Sequence, residues 1–429
     1  MRQDIRSALL DGYTEPIRDA LWGHIYLTPE LAALTRLSLF TRLHRIMQLG
    51  PAFRIYPGAT HTRASHSIGV YHLARRLLTH LADEGADAWL SPMGVKSFLC
   101  AALLHDLGHF PFTHSLKELP LTDHETLTGN LIVSEPAKSL ISATGADPDF
   151  SAAIVSGPEQ YPSPDGGGDE LKFYRKLLSG AMDPDKLDYL SRDARYCGVP
   201  YGIQDVDFIL SRLHPNRERG VDIDSRGITG VESLLFSKYL MYRSVYWHRE
   251  VRSATAMVKK AILDGLTSGI IRGEDLYNLD DQGLFTFARE RELPLFCLVD
   301  SIRNGQLFVP AAEITYTGEG TETNLSIGER LDMEENLAAE LSRALGISLD
   351  GKSLIIDLPE PISFESGLFI ADEDCFFSAG SSVFKGDLLD AFAKSLRIIR
   401  IFVDPRHKAE IKKNRGGILQ ITRKWLHIL

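Results

Sequence analysis

The sequence predicts a mainly α-helical protein with a smaller C-terminal lobe of mixed α/β structure, and three observations carry that prediction. Apolar residues at Leu34, Leu37, Leu39, Leu43, Ile46 and Leu49 recur at spacings near three and four, the period of a helix buried along one face. The run 95–104 is almost wholly apolar and stops where His105, Asp106, Gly108 and Pro111 arrive, as a buried helix does at its end. Beyond about residue 304 the texture changes to short β-type runs, 307–310, 354–358 and 398–403, separated by the helical patterns 333–345 and 387–396. With 429 residues, 44% of them hydrophobic and 24% charged, the chain has the apolar content for a large core.

Taken in order, the first helix is expected from Leu31 to about Leu49 and a second from about Ser65 to Leu81. Pro51, Pro57 and Gly58 interrupt helices, so His61, Thr62 and Arg63 should lie on a loop leading into the second. The third covers 95–107. A run rich in Pro, Gly, Ser and Asp at 158–169 reads as an exposed loop. Helical pattern resumes at 171–178 and again from Pro184, a residue suited to the first position of a helix. The glycine-broken alternation at 220–230 suggests a hairpin, followed by one long helix from about Glu232 past Leu263.

Composition narrows the function. A net charge of −10 argues against the basic surface of a duplex-DNA binder, while leaving room for a local cationic pocket. Cys100, Cys197, Cys297 and Cys375 form no CxxC pair, and two lie in apolar or aromatic runs, which favours buried thiols in a reducing compartment over a disulfide frame or thiolate zinc site. The N-terminus shows no secretory pattern and no segment approaches the roughly 20 apolar residues that span a bilayer, so a cytoplasmic location and no membrane partner are expected.

The strongest chemical signal is His105-Asp106 at the end of the apolar helix. A buried imidazole and carboxylate are costly without partners, and a metal ion satisfies both. A lone histidine at a helix end is more often a cap or a hydrogen-bonded core group. Clustering changes that weighting: His105, Asp106, His109, His114 and His124 fall within about twenty residues of a chain that has 14 histidines in all. His66 lies upstream, and the acidic run 183–189 (DPDKLDY) lies downstream.

With those segments in view, the chain resembles the HD superfamily, and within it the deoxynucleoside triphosphate triphosphohydrolases, as a bacterial relative of the vertebrate member that joins a sterile-alpha-motif domain to an HD domain. The matching segments are 19–27 (DALWGHIYL), 48–69 (QLGPAFRIYPGATHTRASHSIG), 103–114 (LLHDLGHFPFTH), His124-Glu125, 183–193 (DPDKLDYLSRD) and 246–248 (YWH), all within residues 16–252. The match starts almost at the N-terminus, so a sterile-alpha-motif portion is not expected. The resemblance, taken with the change of texture near residue 304, divides the chain into an HD catalytic domain over 1–304 and a C-terminal lobe over 305–429, for which an oligomer contact, a regulatory site and plain scaffold are all open.

It further implies that His66, His105, Asp106 and Asp185 bind a divalent metal (Fe, Mn, Zn or Ni, with Mg accompanying the triphosphate), supported by Asp183 and Asp188. His109, His114 and His124 would then act at the α-phosphorus and the departing 5′-oxygen, with Glu125 as partner to a histidine. Arg63, Lys186 and Lys238 are implied as the cations on the triphosphate, and Gln48, Tyr189, Asp193 and Tyr246 as the sugar pocket, where an aromatic ring would exclude a 2′-hydroxyl. The products would be deoxynucleoside and tripolyphosphate, and relatives are commonly homo-oligomers, dimer or tetramer. The chain departs from the family at Lys117, where an acid is usual, with Glu118 beside it. The family admits a nucleotide effector, but the residues around Arg36, Thr41 and His44, and Phe208, do not match its effector site. Two alternatives use the same cluster: hydrolysis of another phosphate ester, such as a nucleoside monophosphate, cyclic dinucleotide or alarmone, and non-catalytic binding of a nucleotide or single-stranded nucleic acid.

Overall fold

The computed structural model describes residues 1–157, 168–291, 295–315 and 327–425. The loop expected at 158–169 lies almost wholly outside the described residues. Helices carry the N-terminal three fifths of the chain, and local signals start the three helices that converge on the metal-ligand candidates. Thr62 and Ser65 form a reciprocal capping box at the head of Arg63–Asp83, which satisfies donors that the first turn would otherwise leave open. Ser91 caps Pro92–Leu104, and Asp183 caps Pro184–Cys197 through a 2.7 Å bond from Lys186 N; each of these helices has proline at its first position. Gly198, at φ 67, ends the latter helix in the left-handed conformation that glycine adopts most readily.

Two expected helices are interrupted. The stretch 31–49 folds as Pro29–Thr35 and Ser38–Leu43, and the second piece is turned so that the buried Arg42 donates to the carbonyls of Leu107, His109 and Leu279. The stretch from Glu232 is also divided, into Ile228–Met241 and Arg249–Thr267, by a π-helical turn over Tyr242–Tyr246. The hairpin pairs Leu213–Asn216 with Gly220–Ile223, slightly earlier than the glycine pattern suggested.

The C-terminal part is mixed α/β, as expected, but it is not one lobe. A three-stranded antiparallel sheet places Ile398–Val403 between Val309–Thr315 and Leu354–Asp357, and the helices Ile327–Leu345 and Arg415–Trp425 pack on it in a core of their own. Between the second and third of these strands in sequence, the chain returns to the helical body. Phe369–Ile370 adds parallel to Gly220–Ile223, and Phe364, Leu368, Phe377 and Leu389 join the main core. The division expected between 304 and 305 is therefore crossed by shared packing and a shared sheet. No helix among the described residues is long and apolar enough to cross a membrane.

Candidate active site

The site forms where Arg63–Asp83, the C-terminus of Pro92–Leu104 and the N-terminus of Pro184–Cys197 converge. His66 Nδ1 is 2.9 Å from Asp188 Oδ2, and Asp188 also accepts from Arg192 and from Trp22 Nε1. A ring facing a carboxylate so surrounded by donors keeps its proton on Nδ1. That leaves Nε2 facing Asp185 Oδ1 at 2.9 Å and Asp106 Oδ2 at 4.0 Å. His105 repeats the pattern: its Nδ1 is bonded to Ala102 O at 2.9 Å, and its buried Nε2, 3.4 Å from Asp106 Oδ1 and 3.7 Å from Asp185 Oδ1, has no hydrogen-bond partner among the described residues.

Two imidazole lone pairs thus face two carboxylates across a space small enough that ligand atoms of His66, His105 and Asp106 lie within 4.8 Å of one another. Lone pairs and carboxylate oxygens repel unless a proton or a cation lies among them. Without a cation, burial would lower the basicity of His66, but Asp185 and Asp188 outweigh it and raise its pKa to about 10. A nitrogen–oxygen donor set of this kind fits a divalent transition ion. The side chain of Asp185, 36% exposed, marks the open side of the cluster.

Beside it stands a second group. His109 Nδ1 is 3.1 Å from Asp106 Oδ1, His109 Nε2 is hydrogen-bonded to His114 Nε2 at 3.2 Å, and the ring of His124 lies 4.1 Å from that of His109. Burial, reinforced by the nearby Arg63 guanidinium, holds His109 and His114 well below the usual histidine range, so both are neutral near pH 7. The buried Nδ1 atoms of His109 and His124 make no hydrogen bond among the described residues. Arg63 donates to Asp106 Oδ2 at 2.8 Å.

Lys186 and Lys238 approach each other through the segment 363–365, Lys186 reaching Glu365 and Lys238 the carbonyl of Ser363. Tyr246 donates to Asp193 Oδ2 at 2.7 Å and its ring stands edge-on to Tyr189, with centroids 6.4 Å apart. Gln48 N donates to the backbone carbonyl of His61, and among the described residues its buried Oε1 has no hydrogen-bond partner. Glu125 is a departure from expectation: its side chain is exposed, among the described residues no hydrogen bond joins it to a histidine, and the carboxylate beside His124 is Asp123 at 3.5 Å. The reason is local. Asp123 is the helix cap and bends back over the first turn, while Glu125 projects outward.

Sequence reasoning passed over His61, whose Nε2 is 2.7 Å from Asp193 Oδ1 and whose ring stacks on Tyr196 at 4.6 Å. Its place beside Arg63 and His66 in the 57–67 motif was the available signal. Arg192 was also passed over, although its i+4 spacing from Asp188 marks a helical ion pair.

Residues 63–192 match the HD domain family and residues 205–424 the HD associated region. The uncharacterized protein YwfO of Bacillus subtilis is 36% identical over 225 residues, 52% of this chain and 49% of that protein. The deoxynucleoside triphosphate triphosphohydrolase SAMHD1 of Homo sapiens is 27% identical over 274 residues, 58% of this chain and 44% of its own. The chain spans about half the length of these curated relatives. Among solved structures, a hypothetical protein from Aquifex aeolicus superposes with a TM-score of 0.69 at 24% identity, over 93% of this chain and 98% of its own. A phosphohydrolase from Bacteroides thetaiotaomicron does so at 0.70 and 24% identity, over 91% and 99%. At that identity the likeness is one of fold.

Proposed function

The chain belongs to the HD phosphohydrolase family, its HD domain followed by the HD associated region, and from that premise we propose that it hydrolyses deoxynucleoside triphosphates to deoxynucleoside and tripolyphosphate. The observation that carries the reading is the convergence of two imidazole lone pairs and two carboxylates from three distant segments, next to three further histidines and to Arg63. In this reading His66, His105, Asp106 and Asp185 hold a divalent ion. Such an ion polarises a phosphoryl oxygen and lowers the pKa of water near it.

The protein's own groups do the rest. Arg63, Lys186 and Lys238 bind the polyphosphate oxygens, with Arg63 held in place by Asp106. His109, His114 and His124 enclose the scissile phosphorus: the neutral His109 and His114 hydrogen-bond its oxygens, and His124 gives a proton to the departing 5′-oxygen. Asp123 takes the position expected for Glu125. Asp193, already bonded by His61 and Tyr246, keeps free lone pairs for a sugar 3′-hydroxyl, and the orphaned Gln48 Oε1 offers another acceptor. Tyr246 and Tyr189 wall the space beside it, where a 2′-hydroxyl would find no partner.

The test is product analysis. Protein loaded separately with Fe, Mn, Zn or Ni is incubated with each of the four deoxynucleoside triphosphates, and the products are separated by ion-exchange chromatography. Deoxynucleoside and tripolyphosphate in equal amounts are expected. Pyrophosphate or orthophosphate alone, or no turnover with any metal, overturns the assignment.

A further inference from the structure

The lysine proposed to grip the polyphosphate is already saturated by the protein's own acceptors. Lys186 Nζ donates to Gly180 O at 3.0 Å and to Asp183 Oδ2 at 2.6 Å, and pairs with Glu365 Oε2 at 2.6 Å. An ammonium has three protons to give, so these three contacts use its whole capacity. A phosphate oxygen that reaches Lys186 must replace one of them.

The three are not equally replaceable. Gly180 O is backbone. Asp183 is buried and caps the helix that carries Lys186, so moving it would open the first turn of that helix. Glu365 is 46% exposed and lies on the irregular segment 358–368, between the strands Leu354–Asp357 and Phe369–Ile370. Phe364 and Leu368 pin that segment to the main core, so Glu365 can swing out by side-chain rotation alone. The same segment also covers the second proposed cation: Lys238 Nζ donates to Ser363 O at 3.0 Å and stands 5.7 Å from the centre of the Phe364 ring.

Resting on the reading of Lys186 as a polyphosphate ligand, we infer that Glu365 is a built-in competitor at that lysine, an internal carboxylate that a phosphate group displaces and that sets the affinity of the site for polyanions. It also sets a threshold. An anion long enough to engage Arg63 and the histidine cluster while it displaces Glu365 gains several charge-assisted bonds for the one it breaks, whereas a single phosphate at Lys186 only exchanges one for another.

The experiment is isothermal titration of inorganic tripolyphosphate into the metal-loaded full chain and its variants. Glu365→Gln is expected to bind about tenfold more tightly than the wild type, and Glu365→Ala similarly. Glu360→Gln removes the same charge from the same segment away from Lys186 and should change the affinity by less than about twofold. In a Lys186→Ala background, adding Glu365→Gln should produce no further gain. An unchanged or weaker affinity in both Glu365 variants, a gain that survives Lys186→Ala, or an equal gain from Glu360→Gln overturns the inference. Tripolyphosphate affinity that follows this pattern without cleavage of deoxynucleoside triphosphates would sink the substrate assignment and leave the competitor standing. Cleavage with unaltered Glu365 variants would do the reverse, and no binding to any form together with no cleavage would overturn both.

Discussion

Asp281 opens the helix Asp281–Glu290 and accepts a hydrogen bond from Met47 N at 2.9 Å, just before Gln48 in the chain. Burial raises its carboxyl to about 6; the Met47 bond and Arg63 oppose that rise, and Asp280 adds to it. The folded value therefore lies above the ordinary 3.8, and the unfolded chain ionises first as pH rises. Stability from this group is full below the ordinary value and is lost as pH climbs through the folded one. Asp281→Asn keeps an oxygen for Met47 N and cannot ionise. We expect it to be more stable than the wild type by on the order of 2 kcal/mol near pH 8 and nearly equal near pH 4, read from urea unfolding at both. The same difference at both pH values would contradict the assignment of the effect to ionisation. Nothing in the sequence singles Asp281 out, because its burial comes from a loop more than two hundred residues away in the chain.

At the scale of elements, the helices Arg63–Asp83 and Pro184–Cys197 can meet because Gly69 lies at their crossing. A Cβ there would stand 1.9 Å from Asp188 Oδ1 and 2.4 Å from the Arg192 guanidinium. Asp188 cannot retreat without releasing His66, Trp22 or Arg192. Gly69→Ala is thus expected to cost about 3 kcal/mol or more in denaturant unfolding and to lower metal stoichiometry through His66, while Gly386→Ala, where a Cβ meets nothing within 4 Å, should be nearly neutral. A Gly69→Ala protein with wild-type stability and metal content would show that the crossing of the helices does not depend on the missing side chain at this position. Both of these helices were legible, because helix-breaking residues before the first (Pro57 and Gly58) and Pro184 at the head of the second are local signals. The π-helical turn over Tyr242–Tyr246 was not: periodicity shows which face of a helix is buried and is silent on where tertiary contacts interrupt it. Here the turn coincides with the bond from Tyr246 to Asp193. The choice between Asp123 and Glu125 was equally hidden, since both stand beside His124 in the chain and only the cap geometry separates them.

At the scale of the whole molecule, the motifs of the candidate site were readable because its chemistry sits in short segments, whereas the part played by the C-terminal residues depends on where a long chain returns. The helix Arg249–Thr267 faces both parts: Lys259 pairs with Glu118, while its two buried cations, Arg252 and Lys260, are satisfied from the C-terminal side. Arg252 makes a buried bidentate pair with Asp357, at 2.6 and 2.9 Å, and Lys260 is held by Glu334 and by the carbonyls of Gly351 and Leu354. Removing one partner of such a buried pair strands the other charge, so Asp357→Ala in the full chain is expected to cost about 3 to 5 kcal/mol. A chain ended at residue 304 would lose more: Phe369–Ile370 from the sheet beside Gly220–Ile223, Phe364, Leu368 and Phe377 from the main core, and the cover over Arg252 and Lys260. Set against a total stability of about 5 to 15 kcal/mol for a domain, that loss should abolish cooperative folding. Circular dichroism during urea unfolding checks it: residues 1–304 alone should show a broad, shallow change and bind dyes that seek exposed apolar surface. A sharp transition with full metal content from that fragment would restore the division into two independent parts.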